Sequence, residues 1–170
     1  MESRAAELLA ILKNPNTSVE AKVAHLTGTK SDIKQRNVPE AAIAPIFEAL
    51  RLAVASQHSS LSTAGFSALG HLLKRLYIQE HHHAVVTQAR HLYPLLLERL
   101  GDHRERIRAH AAQAFTDLWL ATQTEVEHHV LEVALVGKNP RAKEMSMFWL
   151  SNVSPPSFAF RSGLTGLRHR

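Results

Sequence analysis

The sequence predicts an all-α fold, an α-solenoid of about four antiparallel helical hairpins closed by an irregular C-terminal tail. Three observations carry that prediction. Short polar turns centred near Asn14, His58, Asp102 and Asn139 each separate a pair of apolar segments with helical spacing. These turns recur at intervals of 44, 44 and 37 residues, close to the roughly 40–47 of two-helix solenoid units. The chain is 45% hydrophobic but only 6% aromatic, as expected of helices packed through Leu and Ala.

The first unit pairs Ser3 to Lys13 with Ser18 to about Lys34. Leu8, Leu9, Ile11 and Leu12 form one apolar stripe, and Val19, Val23 and Leu26 form the other. Pro15 cannot continue a helical ladder and Ser18 can cap the next segment, so Asn14–Thr17 is a turn. Gly28 weakens the second helix. The second unit opens with Pro39 at a first helical position, carries Ile43, Ile46, Phe47, Leu50 and Val54, and is expected to kink at Pro45. After the polar stretch Ser56–Ser60 its second helix shows Leu61, Phe66, Leu69, Leu72, Leu73 and Leu76.

The third unit is the clearest copy, with Leu92, Leu95, Leu96 and Leu100 before Gly101–Asp102, then Ile107, Ala111, Ala114, Phe115, Leu118 and Trp119. The fourth runs from about Thr124 to Val136, turns through Gly137–Asn139 and restarts at Pro140, with Met145, Phe148, Trp149 and Leu150 on the inner side. After Ser151 the period dissolves, so residues 1–153 read as one domain and 154–170 as a flexible basic tail. In that tail Phe158, Phe160, Leu164 and Leu167 could cover the open end of the stack.

At 170 residues the chain suits one domain, and its net charge of +5 favours an acidic partner: nucleic acid, an anionic membrane or an acidic protein surface. The absence of cysteine excludes disulfides and thiolate metal sites. The N-terminus, with Glu2 and Glu7 among short apolar stretches, is unlike a signal peptide, and no apolar run approaches the roughly 20 residues of a membrane span. The chain reads as soluble and intracellular.

Within the third unit, LYPLLLERLGDHRERIRAHAAQAF is similar to the HEAT pattern: a proline in the first helix, Asp102 in the turn, and Ile107-Arg108 ahead of small residues in the second. Asp102 and Arg108 match that family's stacking pair, which implies a structural role. The units together, and especially SVEAKVAHL and GKNPRAKEMSMFWL, resemble the TOG domains of the CLASP family, closest to the N-terminal TOG of its fungal members. The likeness covers residues 1–153.

That resemblance implies a non-catalytic array without cofactors that binds tubulin through the turns within each hairpin. It implies microtubule stabilisation at plus ends, kinetochores and the spindle, and a place in the cytoplasm and cytoskeleton, reaching the spindle and nucleus in mitosis. Carried over position by position, the contacts are Val19 and Lys22 at the first turn, His58 and Ser59 at the second, Arg104 at the third, and Lys138, Asn139, Arg141 and Lys143 at the fourth. The sequence supports the fourth independently. Three cations at a helix N-terminus oppose the helix dipole, so a partner is a reasonable motive for them.

Two departures qualify the likeness. Many tubulin-binding TOG domains carry Trp where this chain has Val19, which forfeits much of the roughly 150–250 Å² that an aromatic anchor buries. TOG domains also have six HEAT units where about four precede the tail, so the array is expected to be truncated.

Other chemistry finds little support. His81, His82 and His83 are consecutive and point in different directions on a helix, and His128-His129 is distant, so a polar linker is expected rather than a metal site. Gly137-Lys138-Asn139-Pro140 lacks the paired glycines and preceding strand of a phosphate loop. Trp119 and Trp149 fall at core positions beside Phe115 and Phe148. The competing readings are a HEAT-like nucleic-acid binder, which would line one face with cations, and a scaffold module that docks a kinetochore or plus-end protein without touching tubulin.

Overall fold

The computed structural model describes residues 1–153. Seven α-helices run in chain order: α1 (Glu2–Lys13), α2 (Val19–Gln35), α3 (Glu40–Ala55), α4 (Ser59–Ile78), α5 (His82–Leu100), α6 (Glu105–His129) and α7 (Pro140–Val153). There is no strand among the described residues. Helices α1, α3 and α5 stack on one side, and α2, α4 and α6 on the other. Leu50, Leu69, Leu72, Leu92 and Leu96 are fully buried in the single core between the two layers.

The four corners share one local device. A side-chain oxygen accepts a hydrogen bond from the main-chain N–H two residues on: Asn14 from Asn16 (2.9 Å), Ser56 from His58 (3.1 Å), Asp102 from Arg104 (2.9 Å) and Asn139 from Arg141 (3.0 Å). Short polar side chains of this kind mimic a backbone turn, which is why each apolar segment stops there. Ser18 caps α2 by accepting from the Ala21 N–H, as expected.

Helix α2 runs through Gly28 to Gln35, within a residue of the expected end. Other expectations are corrected. Pro39 is the N-cap of α3 rather than its first helical residue; Pro45 lies inside the helix, which ends at Ala55. Of the three consecutive histidines only His81 lies between helices. His82 and His83 form the first turn of α5, and His82 packs edge-on against Tyr77.

The third and fourth units have no loop between them. Helix α6 passes into a π-helical turn, Val130–Ala134, through a stretch without Gly or Pro. It nevertheless doubles back. The Tyr93 ring lies 6.4 Å from that of Phe115 and 4.8 Å from that of His129, and its hydroxyl meets that of Thr122 at 3.2 Å. A straight helix would spread Phe115 and His129 over about 21 Å, yet Tyr93 holds their rings within about 11 Å of each other. Trp119 Nε1 donates across the bend to Glu127 at 2.9 Å.

Trp149 is buried and donates to Thr116, but Phe148, one step further round α7, faces outward. The proposed covering of the open end by Phe158, Phe160, Leu164 and Leu167 lies outside the described residues.

Two arginines fasten successive repeats. Arg75 of α4 donates to the Ile33 and Lys34 carbonyls that end α2, and Arg99 of α5 donates to the Val54 and Ala55 carbonyls that end α3. Each satisfies carbonyls that a helix C-terminus leaves open, with charge-assisted bonds worth about 1.5–3 kcal/mol each. Gln79 does similar work for the α2–α3 connection, donating to the Val38 carbonyl at 3.0 Å and accepting from its N–H at 2.8 Å.

Candidate functional site: a ridge of corners

Because the hairpins stack in parallel layers, the C-terminal ends of α1, α3 and α5 and the N-terminal ends of α2, α4 and α6 meet along one edge. Side chains join the corners from the second to the fourth. Arg104 sends Nη1 to the Gln57 carbonyl and the Ser59 hydroxyl, both at 3.1 Å, bridging the second and third. The fourth lies against the third: a Cβ built on Gly101 would fall 2.1 Å from Asn139 Nδ2. The chain thus returns to the ridge after the bend in α6.

At the first corner Val19 is half-buried against the core, and Lys22 is half-buried one turn into α2. At the second, His58 is an exposed N-cap residue whose side chain makes no cap bond, and the exposed Ser59 hydroxyl is held by Arg104.

The third corner differs from expectation. Asp102, with a side chain only 6% exposed, is gripped by Arg104 through Nε and Nη2, both at 2.9 Å, and by Arg99 Nη1 at 3.2 Å. Arg108 instead donates to the main-chain carbonyls of Asp102 and His103, closing the turn from below. The Asp102 carboxyl is held well below the usual carboxylate range, first by the side-chain hydrogen bonds from Arg104, against an opposing effect of burial, and with further help from the Arg104 N–H and Arg99. Arg104 is correspondingly raised by its bond to Asp102. With Nε, Nη1 and Nη2 all engaged, Arg104 is a clamp between repeats.

At the fourth corner Asn139 is also architectural. Its Oδ1 accepts from the Arg141 and Ala142 N–H groups and caps α7, while its amide nitrogen packs on Gly101. Lys138 and Arg141 are exposed and Lys143 is partly so, and no described residue bonds their side chains. This corner presents cations free to meet another molecule. Exposed Lys13 and Arg106 extend the positive edge toward the first and third corners, and His58 and His103 are exposed at the second and third.

Arg99 was not anticipated as part of the site. Its signal was present, since it occupies the i+7 position of the stripe that starts at Leu92, where a charged residue must be buried with partners. Among the described residues no group of three or more His, Asp or Glu side chains gathers as metal ligands, and no helix is long and apolar enough to cross a membrane.

The family model described as CLASP N terminal matches residues 1–157. The chain is 73% identical over 154 residues to protein stu1 of Aspergillus fumigatus, covering 91% of this chain and 12% of that protein. It is 64% identical over 154 residues to protein STU1 of Coccidioides immitis, covering 91% and 12%. Protein stu-1 of Neurospora crassa is 46% identical over 149 residues, covering 88% and 13%. The chain therefore spans only 12–13% of the length of these relatives. No solved structure matches it.

Proposed function

The chain belongs to the CLASP N-terminal family, and from that premise we propose that it is a non-catalytic, microtubule-associated module that docks tubulin along its ridge of corners. One observation carries the reading: the corners of successive hairpins lie along one edge, fastened from the second to the fourth, with Lys138 and Arg141 exposed at the fourth. A positive edge of fixed spacing suits an acidic protein surface, which it both steers and orients. In this reading Lys22, His58, Lys138, Arg141 and Lys143 meet the partner, with Val19 half-buried at the first corner beside Lys22. Arg104, Asp102 and Asn139 hold the corners in register, and Arg108 closes the third turn. Microtubule stabilisation and a place on the cytoskeleton and spindle follow from the same proposal.

Val19 favours a weak contact. If a tryptophan anchor at that corner is worth about 2 kcal/mol, its absence lowers affinity roughly thirtyfold. The same residue supports a second reading, in which the ridge receives a kinetochore or plus-end protein and makes no tubulin contact.

The test is the triple substitution K138E/R141E/K143E in the full chain, mixed with purified tubulin and followed by co-sedimentation and size-exclusion shift, with a DNA duplex in parallel. The expected result is loss of tubulin association with an unchanged circular dichroism spectrum. Undiminished association refutes the ridge, and preferential shift of the duplex moves the reading to nucleic acid.

A further inference from the structure

A second surface lies away from the ridge, on the layer formed by α2, α4 and α6. Where the C-terminal end of α4 crosses α6, Tyr77, Ile78 and Leu120 are 49%, 69% and 50% exposed. With Leu73 they form an apolar trough bordered by Lys74 and Asp117. Single exposed apolar residues are ordinary, but three that share one concave site form a patch of the kind that marks a binding surface. The depression continues along the α4–α6 seam, past His71, Lys74 and Asp117, to Phe66 and His110, whose rings stack at 5.5 Å.

Its rim is positive. Lys30 reaches Ser67 at 3.4 Å, while Lys34 and Lys74 are exposed. Lys74 lines the groove itself, and Arg75 beside it bonds the Lys34 carbonyl, which brings the Lys34 end of α2 against α4; burial lowers the pKa of His71, and the charges of Lys34, Lys30 and Lys74 lower it further. Asp117 is the one carboxyl among the described residues on this stretch of the seam, and it accepts a hydrogen bond from Gln113 at 3.1 Å. From Phe66 to Ile78 the seam follows about 18 Å of α4, or roughly three turns of a docked helix.

We propose that the α4–α6 groove, with its rim of Lys30, Lys34 and Lys74, docks an acidic amphipathic helix from a partner protein. Apolar side chains at i, i+3, i+4 and i+7 of that helix fill the trough at Tyr77, Ile78 and Leu120, and carboxylates on its flanks meet the three lysines. A phosphate backbone would use the lysines but has no need of the apolar trough. Ile78 lies about 28 Å along α4 from Ser59, so groove and ridge can be occupied together.

The probe is a fluorescein-labelled peptide of about 18 residues with Leu at the helical apolar positions and Glu elsewhere, titrated with the full chain in about 50 mM salt and read by fluorescence anisotropy. The same design with Lys for Glu, and a labelled DNA duplex, are the controls. Saturable binding of the acidic peptide is expected, weakened about tenfold or more by K34E/K74E and likewise by I78S/L120S, and unchanged by K138E/R141E. All four groove positions are exposed or half-exposed, and circular dichroism reports whether each variant stays folded. Absence of saturable binding, indifference to either groove pair, or duplex binding that I78S/L120S leaves unchanged overturns the proposal. None of these outcomes depends on whether the ridge binds tubulin.

Discussion

Asn139 packs against Gly101: the nitrogen of the carboxamide that caps α7 occupies the space where a side chain on Gly101 would begin, 2.1 Å from the ideal Cβ position. Gly101 has φ −91, which any residue can adopt, so glycine is required there for room and not for backbone freedom.

Gly101→Ala is therefore expected to destabilise the fold by about 1–3 kcal/mol through overpacking, and Asn139→Ala by about 1 kcal/mol through loss of the cap. In G101A/N139A the collision is gone, so the double variant should be more stable than the sum of the single losses implies. Chemical denaturation of the four proteins measures this coupling. Strict additivity would show that the two corners do not touch in solution.

Asp102→Asn is expected to cost about 3 kcal/mol, because it leaves the buried Arg99 guanidinium and the Arg104 clamp without their anion. The sign of the pH effect follows from the lowered carboxyl. An unfolded aspartate titrates near pH 3.9 and the folded one lower, so the stabilisation is complete above about pH 5 and fades as pH falls below about 4. The variant should lose that component of the acid limb. Thermal melts of both proteins from neutral to acid pH decide it, and parallel curves would remove Asp102 as the source.

Glu80 has φ 61 in the left-handed region, directly after α4. It stands at the position where helices end with glycine: the Glu80 N–H reaches the Tyr77 carbonyl at 3.1 Å and the His81 N–H the Leu76 carbonyl at 2.9 Å. Glu80→Gly should therefore raise stability by about 1 kcal/mol, seen as a higher denaturation midpoint with an unchanged denaturant slope. A lower midpoint would mean that the glutamate side chain contributes more than its backbone strain costs.

The corners were legible in the sequence because Asn14, Ser56, Asp102 and Asn139 are residue types that bond to nearby main chain, and the signal needs no tertiary context. The reversal near Thr124 was also expected, but not that helix would continue through it as α6 and its π-helical turn. That stretch has no Gly or Pro, and the chain turns because Tyr93, on another helix, gathers Phe115, Thr122 and His129 around one ring. For the same reason the outward turn of Phe148 escaped periodicity, since adjacent Phe148 and Trp149 are both large aromatics and the contacts of Trp149 with Phe115 and Thr116 select between them. Arg104 could be placed at its corner, but its five donors could be aimed only once Gln57 and Ser59, nearly fifty residues earlier, were known to lie beside it.

Since Arg104 ties the second corner to the third and Gly101 seats the fourth, the spacing between Ser59, Asp102 and Lys138 is set before any encounter. In the proposed reading the edge works as a ruler. A surface whose acidic groups repeat at the matching interval can engage several corners with little ordering cost, whereas one with a different interval can satisfy them only one at a time.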